Sequence, residues 1–169
     1  TQPGTYMITI ALANRNYPIL GKITRCNFLE NSPDSHQDLP PSALLHKCKY
    51  ARIKLSVLGR FVYDQWNALH RKYENIVTKG CKVMPDHFHG IIFVHKPLTF
   101  PLGEIIREFK CKTTKFYQDV VHTNALLWED GFVDSILAND IAFQRAIAYI
   151  KDNPRRLAIK KSFPDIFKI

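Results

Sequence analysis

The run Gly90-Ile91-Ile92-Phe93-Val94-His95 sets the first constraint on the fold. Its four central positions are all apolar and all β-branched or aromatic, with no polar residue to turn toward water before His95. Such a run belongs to a central strand, covered on both sides. Strand signals extend over Cys81 to His95. A preceding run, Asn75-Ile76-Val77-Thr78-Lys79, is separated from it by Gly80 as a break.

A central strand needs neighbours and covering layers. Tyr6 to Ala13 begins β-branched and aromatic and predicts another strand, followed by a turn at Asn14-Arg15-Asn16. Tyr17 to Thr24, with Pro18 and Gly21, has room for a short second strand. Asn31 to Pro41 is rich in serine, aspartate and proline and reads as an exposed loop. From Ala51 to Tyr73, Leu55, Leu58, Phe61, Val62, Trp66 and Leu69 recur at spacings of three and four, the apolar face of a helix. Pro101 to Val121 repeats the pattern with Leu102, Ile105, Ile106 and Phe109. Asn124 to Ser135 is irregular, with Gly131 as a turn. A last helix runs from Asp140 to about Lys151, capped by Asn139 and with Pro154 near its end. This order predicts an α+β sandwich of antiparallel strands covered by helices. The 169 residues suit one domain, 46% of them hydrophobic, which excludes disorder for most of the chain.

The net charge of +9 points to a polyanion, either nucleic acid or an anionic membrane surface. No apolar run reaches the length of a membrane span, and no secretory signal precedes the first apolar segment. Cys26, Cys48, Cys81 and Cys111 show no C-x-x-C spacing, which argues against a zinc ribbon and for free thiols in a reducing cytosol.

Two short motifs carry candidate chemistry. In Met84-Pro85-Asp86-His87-Phe88-His89-Gly90, an extended backbone turns His87 and His89 to one face and Phe88 to the other. Two neighbouring imidazoles can share a divalent cation. The spacing alone equally describes two solvent-facing histidines on a half-buried strand, and a third ligand has to come from elsewhere. In Tyr149-Ile150-Lys151-Asp152-Asn153-Pro154, residues 149 and 153 share a helix face. Read singly, Tyr149 is a core or interface aromatic and Asn153 a helix cap.

Taken in order, these motifs resemble the IS200-like transposases, especially the REP-associated tyrosine transposases, within the HUH endonuclease superfamily. The resemblance runs from about Tyr6 to Ala158. Met84 to Ile92 is similar to the family's signature strand, with Asp86 where asparagine is common. Leu102-Gly103 through Phe109-Lys110 and Thr113-Thr114 resembles the basic helix that follows. Trp128, Gly131-Phe132 and Asp134 resemble the segment before the last helix, and Tyr149-Ile150 with Asn153-Pro154 resembles the tyrosine motif. Gly131 to Ser135 departs by lacking the usual aromatic pair and basic residue, and about 28–49 is divergent.

The resemblance implies a single nuclease/transposase domain over 1–169 with a ferredoxin-like fold. His87, His89 and Asn153 would be ligands of Mg²⁺ or Mn²⁺, with Tyr149 the nucleophile that forms a 5′-phosphotyrosine on single-stranded or hairpin DNA. Arg107, Lys110, Lys112, Arg155 and Arg156 are candidates for phosphate contacts. Arg145, one turn before Tyr149, is a further candidate beside the nucleophile, better placed than Lys151. Tyr117 and Phe132 are candidates for base stacking or for the core. The implied setting is cytoplasmic and nucleoid-associated, with no membrane and either a monomer or a homodimer. The competing expectations are a non-catalytic nucleic-acid-binding module and a metal-dependent hydrolase in which Tyr149 only packs.

Overall fold

The computed structural model describes residues 1–28 and 48–162. The expected loop at Asn31 to Pro41 and the residues after Ser162 lie outside that set. The described elements are β1 (Gly4–Ala11), β2 (Gly21–Phe28), β3 (Cys48–Leu55), α1 (Val57–Lys72), β4 (Ile76–Val83), β5 (His87–Val94), α2 (Leu102–Val121), β6 (Val133–Ile136) and α3 (Asp140–Ser162).

Four strands form one sheet in the order β4-β5-β1-β6, and every neighbouring pair is antiparallel. With α1 between β1 and β4, and α2 between β5 and β6, this is the βαββαβ arrangement of a ferredoxin-like fold. The α+β class expected from the sequence is therefore the class observed. Strands β2 and β3 stand apart as a two-stranded antiparallel ribbon.

The sheet separates two apolar layers. On one side Ile8 and Ile10 of β1 and Phe88 and Ile92 of β5 pack with Trp66 of α1 and Phe109 of α2. On the other, Ile91 of β5 packs with Ala146 and Ile150 of α3, joined by Met7, Phe143 and Ile147. Strand alternation produces this division, since successive residues of β5 point to opposite sides. Gly90 is required where Trp66 crosses the strand. A Cβ there would stand 2.2 Å from Trp66 Cζ2.

Several boundaries differ from the sequence reading. The helix expected from Ala51 begins only at Val57, because Cys48–Leu55 pairs with β2 as a strand. Ser56 marks the change: its Oγ accepts from the Gly59 N–H at 3.0 Å and donates to the Ile19 carbonyl at 2.7 Å. Gly80 does not break a strand; β4 runs through it with an irregularity between Thr78 and Gly80. The expected strand Cys81 to His95 is instead two strands joined by a tight turn, with the Met84 N–H donating to the His87 carbonyl at 2.8 Å.

The segment read as irregular contains β6, which pairs with β1 from Tyr6↔Ile136 to Thr9↔Val133. It is tied to α2 by the Trp128 indole, which donates to Thr113 Oγ1 at 2.8 Å, and by the Lys110 ammonium, which donates to the Glu129 and Gly131 carbonyls at 2.6 and 2.7 Å. Finally, α3 passes through Pro154 and continues to Ser162. Proline costs the helix one hydrogen bond, but Pro154, Ala158 and Ile159 are all buried, and that burial holds the extra turns in place. Asn139 caps this helix as expected, accepting from the Ala142 N–H at 2.9 Å.

Gly90→Ala tests the packing of Trp66 on β5. The methyl group has to displace a buried indole, so urea denaturation should show a loss of about 2 kcal/mol or more. An unchanged midpoint would contradict the packing described.

Candidate functional site

The pairing of β1 with β5 builds the floor of the site. His89 lies opposite Thr9 on one side and Lys82 on the other. Directly opposed residues share a face, and this face is the one α3 covers. His87 and His89 lie on it with ring centroids 4.7 Å apart and planes at 80°. Phe88 points away into the Trp66 layer, fully buried. The expectation that the two histidines share a face and Phe88 takes the other matches what the fold places there.

Each histidine has its Nδ1 engaged. His87 Nδ1 lies 2.8 Å from the Asp86 carboxylate, and His89 Nδ1 lies 2.8 Å from Thr9 Oγ1. With the proton on Nδ1, both Nε2 lone pairs are left for a ligand, the arrangement that outer hydrogen bonds impose on metal-binding imidazoles. The hydrogen bond from His87 holds the Asp86 carboxyl below its ordinary range, against the opposing effect of burial. Burial, then the neighbouring His87, push the His89 pKa from 6.5 down to about 4, with Asp86 opposing. His89 is therefore a neutral imidazole at physiological pH.

Helix α3 supplies the roof. The Tyr149 ring lies 5.4 Å from the His89 ring at 72°, and Tyr149 is 40% exposed, open to an incoming molecule. Asn153, one turn on, is only 7% exposed. It is not the helix cap its residue type suggested, since α3 runs on to Ser162. Two buried polar atoms here have no partner among the described residues: His89 Nε2 and Asn153 Nδ2. A buried polar group without a partner has to be explained, and amide oxygen and nitrogen exchange on a side-chain flip. A ring nitrogen with a free lone pair and an amide that can present its oxygen are both donors of the kind a divalent cation takes up.

A cation here would have a mixed donor set. No group of three His, Cys, Asp or Glu side chains suited to a metal ion occurs among the described residues. The available set is two imidazoles and one neutral amide, which suits Mn²⁺ better than the harder Mg²⁺.

The basic candidates divide between the two sides of the sheet. Arg155 and Arg156 lie on α3, and both pair with Asp152, at 2.9 and 3.2 Å. The guanidinium of Arg156 sits over the Tyr149 ring at 5.6 Å. Arg156 is two turns on from Tyr149, and Arg145, one turn before it, is exposed. Arg107, Lys110 and Lys112 lie on α2, in the opposite layer. Arg107 pairs with Glu104, Lys112 pairs with Glu108 at 3.1 Å, and the Lys110 amine is held by two backbone carbonyls.

A groove of about 940 Å³ between α2 and the Leu126–Phe132 segment includes Arg107, Lys110 and Lys115, but equally Asp119, Glu129 and Asp130. Its opposed charges leave no net attraction for a polyanion. Tyr117 and Phe132 pack against the main core, which accounts for both aromatics.

Thr9 and Asp86, the partners of the histidines, were not singled out from sequence. Asp86 was visible beside its histidine; Thr9 is brought in only by sheet register.

By sequence, the chain matches no family model and no curated protein. By fold, it is similar to a solved structure of a REP-associated tyrosine transposase bound to a REP hairpin. The TM-score is 0.58 at 16% identity, covering 95% of this chain and 72% of that one. At that identity the likeness is one of fold. Among the described residues, no helix is long and apolar enough to cross a membrane.

The state of His89 predicts a pH effect on stability without metal. The unfolded chain takes up a proton at this imidazole near pH 6.5, the folded chain only near 4. The folded state is therefore fully favoured above that window and loses stability as pH falls through it, by at most about 1.4 kcal/mol per pH unit. Urea denaturation in EDTA should show this decline in the parent and a flatter profile in His89→Gln. Identical profiles would contradict a neutral, buried His89.

Proposed function

We propose that this protein cleaves and rejoins single-stranded DNA by transesterification, with Tyr149 as nucleophile. The observation that carries the reading is the Tyr149 ring of α3 set against His89 beside His87, with Asn153 one turn on along the same helix and both His89 Nε2 and the Asn153 amide nitrogen buried without a partner among the described residues. The fold likeness to a transposase bound to a DNA hairpin supports DNA as the substrate.

His87, His89 and Asn153 would hold a divalent cation, Mn²⁺ or Mg²⁺. When bound, it supplies positive charge to polarise the scissile phosphate. The Tyr149 oxygen attacks phosphorus and loses its proton to solvent. The bond from phosphorus to the 3′ oxygen breaks, and that oxygen leaves as a 3′-hydroxyl after taking up a proton. The other fragment stays attached as a 5′-phosphotyrosine. The ester is conserved, so a 3′-hydroxyl attacking the phosphotyrosine joins strands and frees Tyr149.

Arg156 over the ring sets a positive charge against the side chain whose oxygen becomes anionic. In this reading Tyr149 acts on the site of its own chain, where its ring faces His89. Work on chromosomal DNA would place the protein at the nucleoid.

The test uses 5′- and 3′-labelled hairpin oligonucleotides with single-stranded flanks, in Mn²⁺ or EDTA. The parent forms a covalent adduct only with metal, on the fragment carrying the 5′-phosphate. Tyr149→Phe forms none, and His87→Ala loses at least about 100-fold in rate. Asp86→Ala, which removes only the hydrogen-bond partner of His87, loses about 10- to 100-fold. An adduct that survives Tyr149→Phe would refute the nucleophile; one formed equally in EDTA would refute the metal.

A further inference from the structure

The β2–β3 ribbon has an unusual charge pattern. Its strands, Gly21-Lys22-Ile23-Thr24-Arg25-Cys26-Asn27-Phe28 and Cys48-Lys49-Tyr50-Ala51-Arg52-Ile53-Lys54-Leu55, contain no acidic residue. The register sets Lys22 directly opposite Lys54, beside the exposed Arg52. Like charges at directly opposed positions destabilise a strand pair.

Alternation then sorts the faces. Ile23, Ala51, Ile53 and Leu55 are partly buried, while Lys22, Thr24, Tyr50, Arg52 and Lys54 are exposed. One side of the ribbon is apolar and docked; the other is cationic. Lys22, Arg52 and Lys54 have no ion-pair partner among the described residues. In contrast, Lys72, Arg107, Lys112, Arg155 and Arg156 are each matched to a carboxylate.

The ribbon borders the site described above. Ala51, Arg52, Ile53 and Leu55 line a cavity of about 290 Å³ together with Lys82 and Pro154. Lys82 is the cross-strand neighbour of His89, and Pro154 follows Asn153. The ribbon is thus a neighbour of the histidine and tyrosine cleft, with Arg52 the cation of the ribbon that lies nearest to it.

We infer that the outer face of the β2–β3 ribbon is a phosphate-backbone clamp for duplex nucleic acid, holding the stem of a hairpin beside the cleavage cleft. Cations that face one another, with no carboxylate beside them among the described residues, are relieved by a dense polyanion that interposes phosphates between them. A two-stranded ribbon also has the width that a duplex major groove admits. The contacts are to backbone phosphates and give affinity and register, with no sequence preference from Lys22, Arg52 or Lys54. The inference rests on the proposed function only in taking DNA as the polyanion; it does not depend on Tyr149 chemistry.

The experiment measures equilibrium binding of a hairpin oligonucleotide from 50 to 300 mM salt (about a sixfold range, wide enough to fix a slope). It compares the full chain, K22A/R52A/K54A, and a control, R60A/K96A, that removes exposed cations outside the ribbon. Each phosphate contact contributes about 0.9 to the slope of log affinity against log salt. The triple variant should therefore lose a slope of about 2 to 3 and at least 100-fold in affinity at low salt, equally for different stem sequences. The control should change far less. A thermal melt should show the triple variant at least as stable as the parent, because removing facing cations removes repulsion.

Unchanged slope and affinity in the triple variant would overturn the clamp. So would an equal loss in the control, or a loss confined to single-stranded oligonucleotide or to anionic phospholipid vesicles. A parent that binds the hairpin in a ribbon-dependent way yet forms no adduct sinks the cleavage reading and leaves the clamp standing. Normal adduct formation with ribbon-independent binding does the reverse.

Discussion

The antiparallel pairing of β1 with β5, from Gly4↔Val94 to Ala11↔His87, decides which side chains meet. It lays Thr9 beside His89 and leaves Gly90 beneath Trp66. A slip of one residue would reverse every side chain of β5. Phe88 would then face α3, and both histidines would enter the apolar layer around Trp66, where neither has a polar partner. The large rings of Trp66, Phe88 and Phe109 in that layer hold the register, with Trp66 and Phe88 centroids 4.7 Å apart. The packing of one face thus fixes the chemistry of the other.

Helix α3 completes the arrangement under an opposing local preference. Pro154 works against a continued helix. The buried residues beyond it, Ala158 and Ile159, keep the chain helical. Tyr149 and Asn153 consequently lie one turn apart on a helix that neither begins nor ends at the site. Electrostatics then separate two tasks. Asp86 and Thr9 hold the histidines by Nδ1, while Asp152 pairs with Arg155 and with Arg156, whose guanidinium lies over the Tyr149 ring. The cations on α2 belong to the other layer, where Glu104, Glu108 and backbone carbonyls already engage them.

Much of this was legible in the chain. The alternation in His87-Phe88-His89 placed both imidazoles on one face, and the spacing of Tyr149 and Asn153 placed both on one side of a helix. The stripe from Leu58 to Leu69 marked α1, and Asn139 marked the start of α3. What the sequence obscured depended on tertiary pairing. Leu55 fits the apolar period of the following helix, so β3 was absorbed into it until its pairing with β2 is seen. Strand β6 is short and exposed along its length, and only β1 makes it a strand. Lys110 reads as a free cation on a basic helix, but the loop that folds back to bind it is far along the chain. Thr9 carries no local sign that it will meet His89, 80 residues away.

The central claim is that β5 and α3 contribute to one cation site. Calorimetric titration with Mn²⁺ tests it most directly, using the parent, His89→Ala, Asn153→Asp and Tyr149→Phe. The account predicts one Mn²⁺ per chain, binding lost in His89→Ala and unchanged in Tyr149→Phe. It also predicts tighter binding in Asn153→Asp, where a carboxylate replaces a neutral amide. Mn²⁺ affinity that is indifferent to both His89→Ala and Asn153→Asp would contradict it.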